Sequence, residues 1–367
     1  MEYIIYGGVL LLSFIVSYIT VPWAIKFANK KGIIDNPKQD DRRVHKAPTP
    51  RVGGIAIVAG VMVSLLAFFI ATIFLDIKVD TRLIGYVLGA IVIIIMGFVD
   101  DVVSLRPLYK FLLQIIAGMI IYVFGISIAG VKIPFLFPQI IDFGIFAFPI
   151  TLIWVLAITN AVNLIDGLDG LAAGISSIAS ISLLVIFTLI GSPIEALVIA
   201  IGLVGATIGF LPYNFNPAKT FMGDTGSNFL GFTLATVSIM GMAKGYTVLA
   251  IVAPLIVCGV PVFDMVFAII RRLIKRQKLT APDKGHIHHR LLKHGFSQKQ
   301  AVLILYGLTS ILGIIAVTIV TGMKKQGILC IILAIIIWVI GYIHNDLKLK
   351  RNMMIPEQTQ VSREEEK

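Results

Sequence analysis

Apolar residues run through this chain in long unbroken blocks, separated by short polar stretches that carry most of the charge. Eleven blocks can be drawn, at roughly 3–25, 53–75, 83–99, 109–125, 145–159, 170–190, 195–211, 226–242, 246–268, 301–321 and 327–345. About 20 apolar residues suffice for an α-helix to cross the hydrocarbon of a bilayer. The blocks are continuous rather than alternating, which predicts helices and argues against a barrel; in lipid only these two satisfy every backbone group. The pattern therefore predicts an all-α, polytopic integral membrane protein with about 11 transmembrane helices. Residues 1–345 are expected to form a single transmembrane domain, and 346–367 a polar, disordered tail ending Arg-Glu-Glu-Glu-Lys. Pro134, Pro138 and Pro149 interrupt the approach to the fifth block and blur its start.

Composition agrees. Hydrophobic residues make up 57% of the chain and charged residues 14%, with a mean hydropathy of +0.95. A soluble domain carries about 25% charge. Cys258 and Cys330 both lie inside apolar blocks without metal-type spacing, and read as small core residues. The N-terminus has Glu2 and no basic leader, and the first basic cluster, Lys26, Lys30 and Lys31, follows the first block. That suits a retained helix with its N-terminus outside. Of the 31 Lys and Arg residues, 25 fall in the stretches 26–52, 100–110, 160–169, 212–225 and 269–300 and in the tail. Basic residues favour the cytoplasmic side, so those stretches and the C-terminus are expected inside the plasma membrane. The net charge of +11 is then a property of one face. It suits anionic headgroups or an anionic cytoplasmic substrate, although topology alone requires part of it; no nucleic-acid partner is expected.

The acids meet the spans on that same side. Asp100 and Asp101 end the third span, Asp166 and Asp169 follow the fifth, Asp224 precedes the eighth, and Asp264 lies near the end of the ninth. Charge at membrane depth is costly and marks function. An ion-coupled transporter also uses buried acids, but near the midplane and with broken helices. Clustering at one interface favours chemistry on a cytoplasmic substrate that meets a lipid headgroup.

Four stretches carry that chemistry. In Asn160-Ala-Val-Asn163-Leu-Ile-Asp166-Gly-Leu-Asp169-Gly170, a helical turn would put Asp166 and Asp169 on one face, with Asn163 able to join them. Such oxygen ligands suit Mg²⁺; capping of the next helix by Asp169 is the plainer alternative. In Phe221-Met-Gly223-Asp224-Thr225-Gly226-Ser227-Asn228, glycines let the backbone approach a diphosphate, and the helix that follows offers its positive end. Asp224 beside an anion calls for a cation between them; a simple glycine turn is the alternative. Asp100 and Asp101, with Lys110 beyond them, combine two carboxylates that can raise one another's pKa with a phosphate-neutralising ammonium. His286-Ile-His288-His289-Arg290 offers anion-binding groups in the longest basic loop, and zinc is poorly supported there. The first loop, from Asp35 through His45, Lys46 and Arg51 to Gly53-Gly54, reads either as a headgroup surface or as a phosphate contact.

Together these stretches resemble the polyprenyl-phosphate N-acetylhexosamine-1-phosphate transferases, with matches from Asp35 to Arg290. The His-Ile-His-His-Arg run is similar to members that use UDP-N-acetylglucosamine to begin teichoic acid or O-antigen chains. The member that makes the first lipid intermediate of peptidoglycan, a phospho-MurNAc-pentapeptide transferase, carries a triple histidine there and is the alternative within the family. The resemblance implies attack of undecaprenyl phosphate on the β-phosphorus of UDP-GlcNAc, releasing UMP. It implies Mg²⁺, with Mn²⁺ as a substitute, held by Asn163 and Asp224, and Asp100 or Asp101 receiving the proton or orienting the lipid phosphate. Asp166, Asp169 and Phe221 resemble uridine-side residues, and Lys46, Lys110, His288, His289 and Arg290 would hold phosphate or sugar. A homodimer is compatible with all of this.

Overall fold

The computed structural model describes residues 2–37, 47–133, 137–242, 248–277 and 285–322, with isolated positions between 325 and 336. The chain forms helices α1 (Glu2–Lys31), α2 (Gly54–Leu75), α3 (Arg82–Val103), α4 (Pro107–Val123), α5 (Ala147–Ile165) and α6 (Leu171–Ile190). It continues with α7 (Ile194–Asn214), α8 (Gly223–Met242), α9 (Val248–Val257), α10 (Gly259–Ile274), α11 (Ile287–Lys293) and α12 (Gln298–Thr321). Among the described residues, seven helices are long and apolar enough to cross a membrane: α1, α2, α3, α5 with its preceding turn, α6, α7 and α12. The polytopic, helical class is therefore as the hydropathy predicts.

Without a hydrophobic drive between helices in lipid, close packing through small residues does much of the work. A Cβ on Gly205 of α7 would collide with the Leu10 carbonyl of α1, and one on Gly60 of α2 would stand 2.6 Å from the Ser13 carbonyl. α1, α2 and α7 thus pack as one unit. The centre of the other half is α8, which is buried along almost its whole length. Protein rather than lipid surrounds it, so it can carry hydroxyls that find partners. Thr233 meets the Tyr86 hydroxyl of α3 at 3.0 Å, and Ser238 accepts from Trp154 Nε1 of α5 at 3.1 Å.

The structure departs from the pattern in three places. The ninth predicted span, 246–268, is two helices that break at Cys258. Pro261 has no N–H for the carbonyl four residues before it, so the ladder is interrupted there. Two short antiparallel pairs join the helices: β1 (Ile34–Asp35) with β2 (Thr49–Pro50), and β3 (Gly130–Ile133) with β4 (Phe137–Asp142). Finally, α5 ends at Ile165, and 166–170 is a turn closed by Gly170 at φ +80°. Asp166 and Asp169 therefore share no helical face, and Gly170, not Asp169, precedes α6. Lys46, most of the 327–345 span and the tail 346–367 lie outside the described residues.

Candidate active site

Four helix ends converge. Asp100 and Asp101 occupy the last turn of α3, Lys110 the first turn of α4, Asn163 the last turn of α5 and Asp224 the first turn of α8. Glycine sets the approach. A Cβ on Gly97 of α3 would lie 2.5 Å from the Thr225 Cα, and Gly223, at φ +71°, leaves no room for one between the Arg51 carbonyl and the Asp101 carboxylate.

Asp101 is wholly committed. Its Oδ1 accepts from the Asp224 amide at 2.7 Å, and its Oδ2 accepts from the Thr225 amide at 2.9 Å and the Thr225 hydroxyl at 2.6 Å. A carboxylate from α3 thus caps α8, where charge-assisted bonds and the helix dipole both favour it. The N–H groups expected to receive a diphosphate are therefore already occupied. Asp100, in contrast, is ion-paired to Lys110 and accepts from the Leu105 amide at 2.7 Å, which closes the turn after α3.

Asp224 is the hub. Asn163 Nδ2 donates to its Oδ1 at 2.8 Å and to Ser227 Oγ at 2.8 Å, and Lys110 Nζ stands 3.5 Å from the same Oδ1. Arg51 Nη2 lies 2.5 Å from its Oδ2. Behind the charges, buried Gln114 of α4 donates to Asn228 Oδ1 at 3.0 Å and accepts from Asn160 Nδ2 at 2.7 Å, while Asn228 donates to the Asp224 carbonyl at 2.8 Å. This amide relay ties α4, α5 and α8 together beneath the site.

Arg51, which the sequence offered only as part of a first loop reading as headgroup surface or phosphate contact, joins the centre of the site. It is seated by a backbone ladder: Phe221 N donates to the Pro50 carbonyl at 2.8 Å, Gly53 N to the Phe221 carbonyl at 2.9 Å and Gly54 N to the Met222 carbonyl at 2.9 Å. Its place beside two glycines was the available clue. Gln114, a lone amide inside an apolar block, was another.

The two predicted uridine-side acids are engaged differently. Asp166 stands at the end of α5, where burial, followed by the nearby Asp224 charge, pushes it up to about 7. Asp169 Oδ2 accepts from Asn216 Nδ2 at 2.8 Å and the Ala218 amide at 3.1 Å, so it anchors the loop between α7 and α8. The histidine run forms α11, docked on α10 by Asp264, which meets His286 Nδ1 at 2.8 Å and accepts from the Ile287 amide at 2.9 Å. His288 is buried against Gly167, its ring 4.3 Å from that of His289. Burial, then the neighbouring His289, holds His288 down at about 3, so its imidazole is neutral. Arg290 is exposed.

Among the described residues, no three His, Cys, Asp or Glu could cage a metal by themselves. The donors around Asp224 are nevertheless all hard oxygen: the carboxylates of Asp100 and Asp224, and the Asn163 amide once its oxygen is turned inward. Mg²⁺ is commonly held by one or two carboxylates with substrate phosphates and water completing its shell, so this donor set fits it.

Acids, amides and cations thus gather at one end of an apolar bundle, on helix ends rather than at mid-helix, an arrangement suited to chemistry on phosphate groups at a membrane surface. The family described as Glycosyl transferase family 4 matches residues 83–242. The chain is 40% identical over 348 residues to a protein named probable undecaprenyl-phosphate N-acetylglucosaminyl 1-phosphate transferase from Bacillus subtilis (strain 168), covering 92% of this chain and 94% of that one. It is 32% identical to decaprenyl-phosphate N-acetylglucosaminephosphotransferase of Mycolicibacterium smegmatis, covering 81% and 77% of the two chains. It is also 32% identical to phospho-N-acetylmuramoyl-pentapeptide-transferase of Streptococcus pyogenes, covering 66% and 74%. The chain belongs to this family of membrane sugar-phosphate transferases.

Proposed function

We propose that this chain transfers GlcNAc-1-phosphate from UDP-GlcNAc to undecaprenyl phosphate, giving undecaprenyl-diphospho-GlcNAc and UMP, as the first step of a cell-surface glycan such as a teichoic acid or O-antigen chain. The observation that carries it is the meeting of Asp100, Lys110, Asn163 and Asp224 at the helix ends, in a chain 40% identical to its Bacillus relative over 92% of its length.

An oxygen of the lipid phosphate attacks the β-phosphorus, the bond from that phosphorus to the bridging oxygen breaks, and UMP leaves with the bridging oxygen. Phosphoryl transfer of this kind depends mainly on positioning and neutralisation. Asn163 and Asp224 would hold Mg²⁺, which would supply neutralisation at the diphosphate. Asp100 is the acid placed to take the proton from, or orient, the lipid phosphate, because the oxygens of Asp101 are spent on α8. Lys110 lies beside Asp100 to hold the incoming phosphate. Asp166 and Phe221 face the nucleotide, Asp169 shapes that side through the loop it anchors, and neutral His288 with His289 and Arg290 closes the sugar-phosphate side. The site opens to the cytoplasm of the plasma membrane.

Purified protein with undecaprenyl phosphate and a panel of radiolabelled UDP-sugars tests this. GlcNAc-labelled lipid with stoichiometric UMP is expected. Labelling from UDP-MurNAc-pentapeptide instead would assign the peptidoglycan reaction, and movement of substrate without UMP a carrier. For sidedness, single cysteines are placed at exposed Lys293 and Lys78 in a chain with Cys258 and Cys330 replaced by Ala. In intact cells, an impermeant thiol reagent should label the second and spare the first.

A further inference from the structure

We propose that Arg51 is a built-in counter-cation that occupies the divalent-metal position of the site until metal and diphosphate arrive, and then passes from Asp224 to the diphosphate. The inference rests on the phosphotransferase reading above.

The geometry is asymmetric. Arg51 Nε stands 3.3 Å from Asp101 Oδ1, and Nη2 lies 2.5 Å from Asp224 Oδ2. Asp101 is pinned by the start of α8, so the Nε end has a fixed partner. The Nη2 end holds the carboxylate that the metal needs. On the Oδ2 side only that contact has to break, since Asn163 and Lys110 address Oδ1, and a guanidinium can keep one acid while turning its outer edge to a phosphate. The Arg51 side chain is 31% exposed, whereas Asp101 is fully buried, so the arginine lies on the side a ligand reaches. Its backbone N–H donates to the Ile33 carbonyl at 3.2 Å, and Pro50, Gly53 and Gly54 on either side are laddered to 221–222, so its Cα stays in place while the side chain moves. The charge pattern requires such a group. Among the described residues, Asp100, Asp101, Asp166 and Asp224 gather here, with Asp35 near Arg51, and Lys110 and Arg51 stand against them. An excess of acids would repel itself in the empty enzyme and bind a divalent ion before any nucleotide came. A resident cation makes metal binding wait for the diphosphate.

The test is Mn²⁺ binding to the purified full-length protein without nucleotide, read by electron paramagnetic resonance and calorimetry. Arg51→Gln should bind Mn²⁺ about tenfold more tightly than wild type, since it displaces no cation. It should also bind UMP more weakly in the presence of Mn²⁺, having lost a phosphate partner. Arg51→Lys should fall between the two, because one ammonium cannot span both acids; it decides the matter if Arg51→Gln does not fold. Equal or weaker Mn²⁺ affinity in the folded variant, or no binding in wild type and variant alike, overturns the inference. The metal titration stands apart from turnover. A wild type that binds Mn²⁺ yet makes no labelled lipid refutes the proposed reaction and leaves the Arg51 result to be judged by metal affinity alone.

Discussion

The two ends of the bundle both carry buried charge, and they use it differently. At the end opposite the site, Asp80 pairs with Arg82 at 2.8 Å, two residues along the chain, and Glu195 in the first turn of α7 accepts from the Asp80 amide at 2.7 Å. Asp80 and Arg82, both partly exposed, serve the turn that starts α3, and the buried Glu195 ties α7 to the backbone of that turn without meeting a cation of its own among the described residues. At the site end side chain meets side chain across several helix ends: Arg51 to Asp224, Lys110 to Asp100, Asn163 to Asp224. Their acids exceed their cations among the described residues. The difference teaches that buried charge alone does not mark a site. Charge held across several helix ends, beyond what the fold itself consumes, does.

That contrast can be broken most severely at Asp224. Replacement by Asn keeps the shape and the hydrogen bond from Asn163 but removes the charge that Lys110 and Arg51 address and that the proposed Mg²⁺ would need. Turnover in the radiolabelled lipid assay should fall by about 10³-fold or more. EDTA should silence the wild type, with Mg²⁺ or Mn²⁺ restoring it. Full activity of Asp224→Asn at low millimolar Mg²⁺ would remove this residue from the centre.

Within the site end, the two adjacent acids should part company. Asp100→Asn should lower the turnover rate by about 10²–10⁴-fold while nucleotide binding, measured by calorimetry, stays. Asp101→Asn puts an amide N–H₂ against N–H donors at the start of α8, which costs about 1–3 kcal/mol of stability. Its melting temperature should drop, and metal and nucleotide binding should weaken together. If Asp101→Asn instead lost only its rate and remained as stable as wild type, the division of labour would be reversed.

A smaller effect is expected from His288. Unfolded, it takes a proton below about pH 6.5; folded, it resists until about 3. The unfolded state therefore binds more protons between those values, and the contribution of His288 to stability, complete above about 6.5, is lost as pH falls through that window. Melting curves of wild type should lose more on going from about pH 7 to about pH 5 than those of His288→Gln. Parallel acid limbs would mean that His288 is protonated in the folded enzyme.

The smallest effect belongs to the opposite end. Glu195→Gln should cost about 1 kcal/mol or less of stability and leave turnover within about twofold. A loss comparable to that of Asp100→Asn would erase the distinction between the two ends.

The sequence alone determined the membrane class, because runs of about 20 apolar residues have no other stable home than a helix in lipid. It also marked candidate groups, since acids and amides at span ends stand out against an apolar background; Asn163, Asp224, Asp100 and Lys110 do come together. What it could not decide was how each group is spent. Asp100 and Asp101 are neighbours in the chain, yet successive helical side chains point in different directions, and only the approach of α8 showed that Asp101 is consumed as a cap while Asp100 faces Lys110. Asp169 was drawn beside Asp166 by a helical spacing that the turn at 166–170 abolishes, and it serves the 216–218 loop instead. Arg51 belonged to a loop that could be read as a headgroup surface or as a phosphate contact, with nothing to single it out. Its role depends on backbone bonds to 221–222 and on side-chain bonds to Asp101 and Asp224, 50 and 173 positions away. Local periodicity carries no information about partners that distant, because they are set by which helix ends the glycine contacts allow to meet.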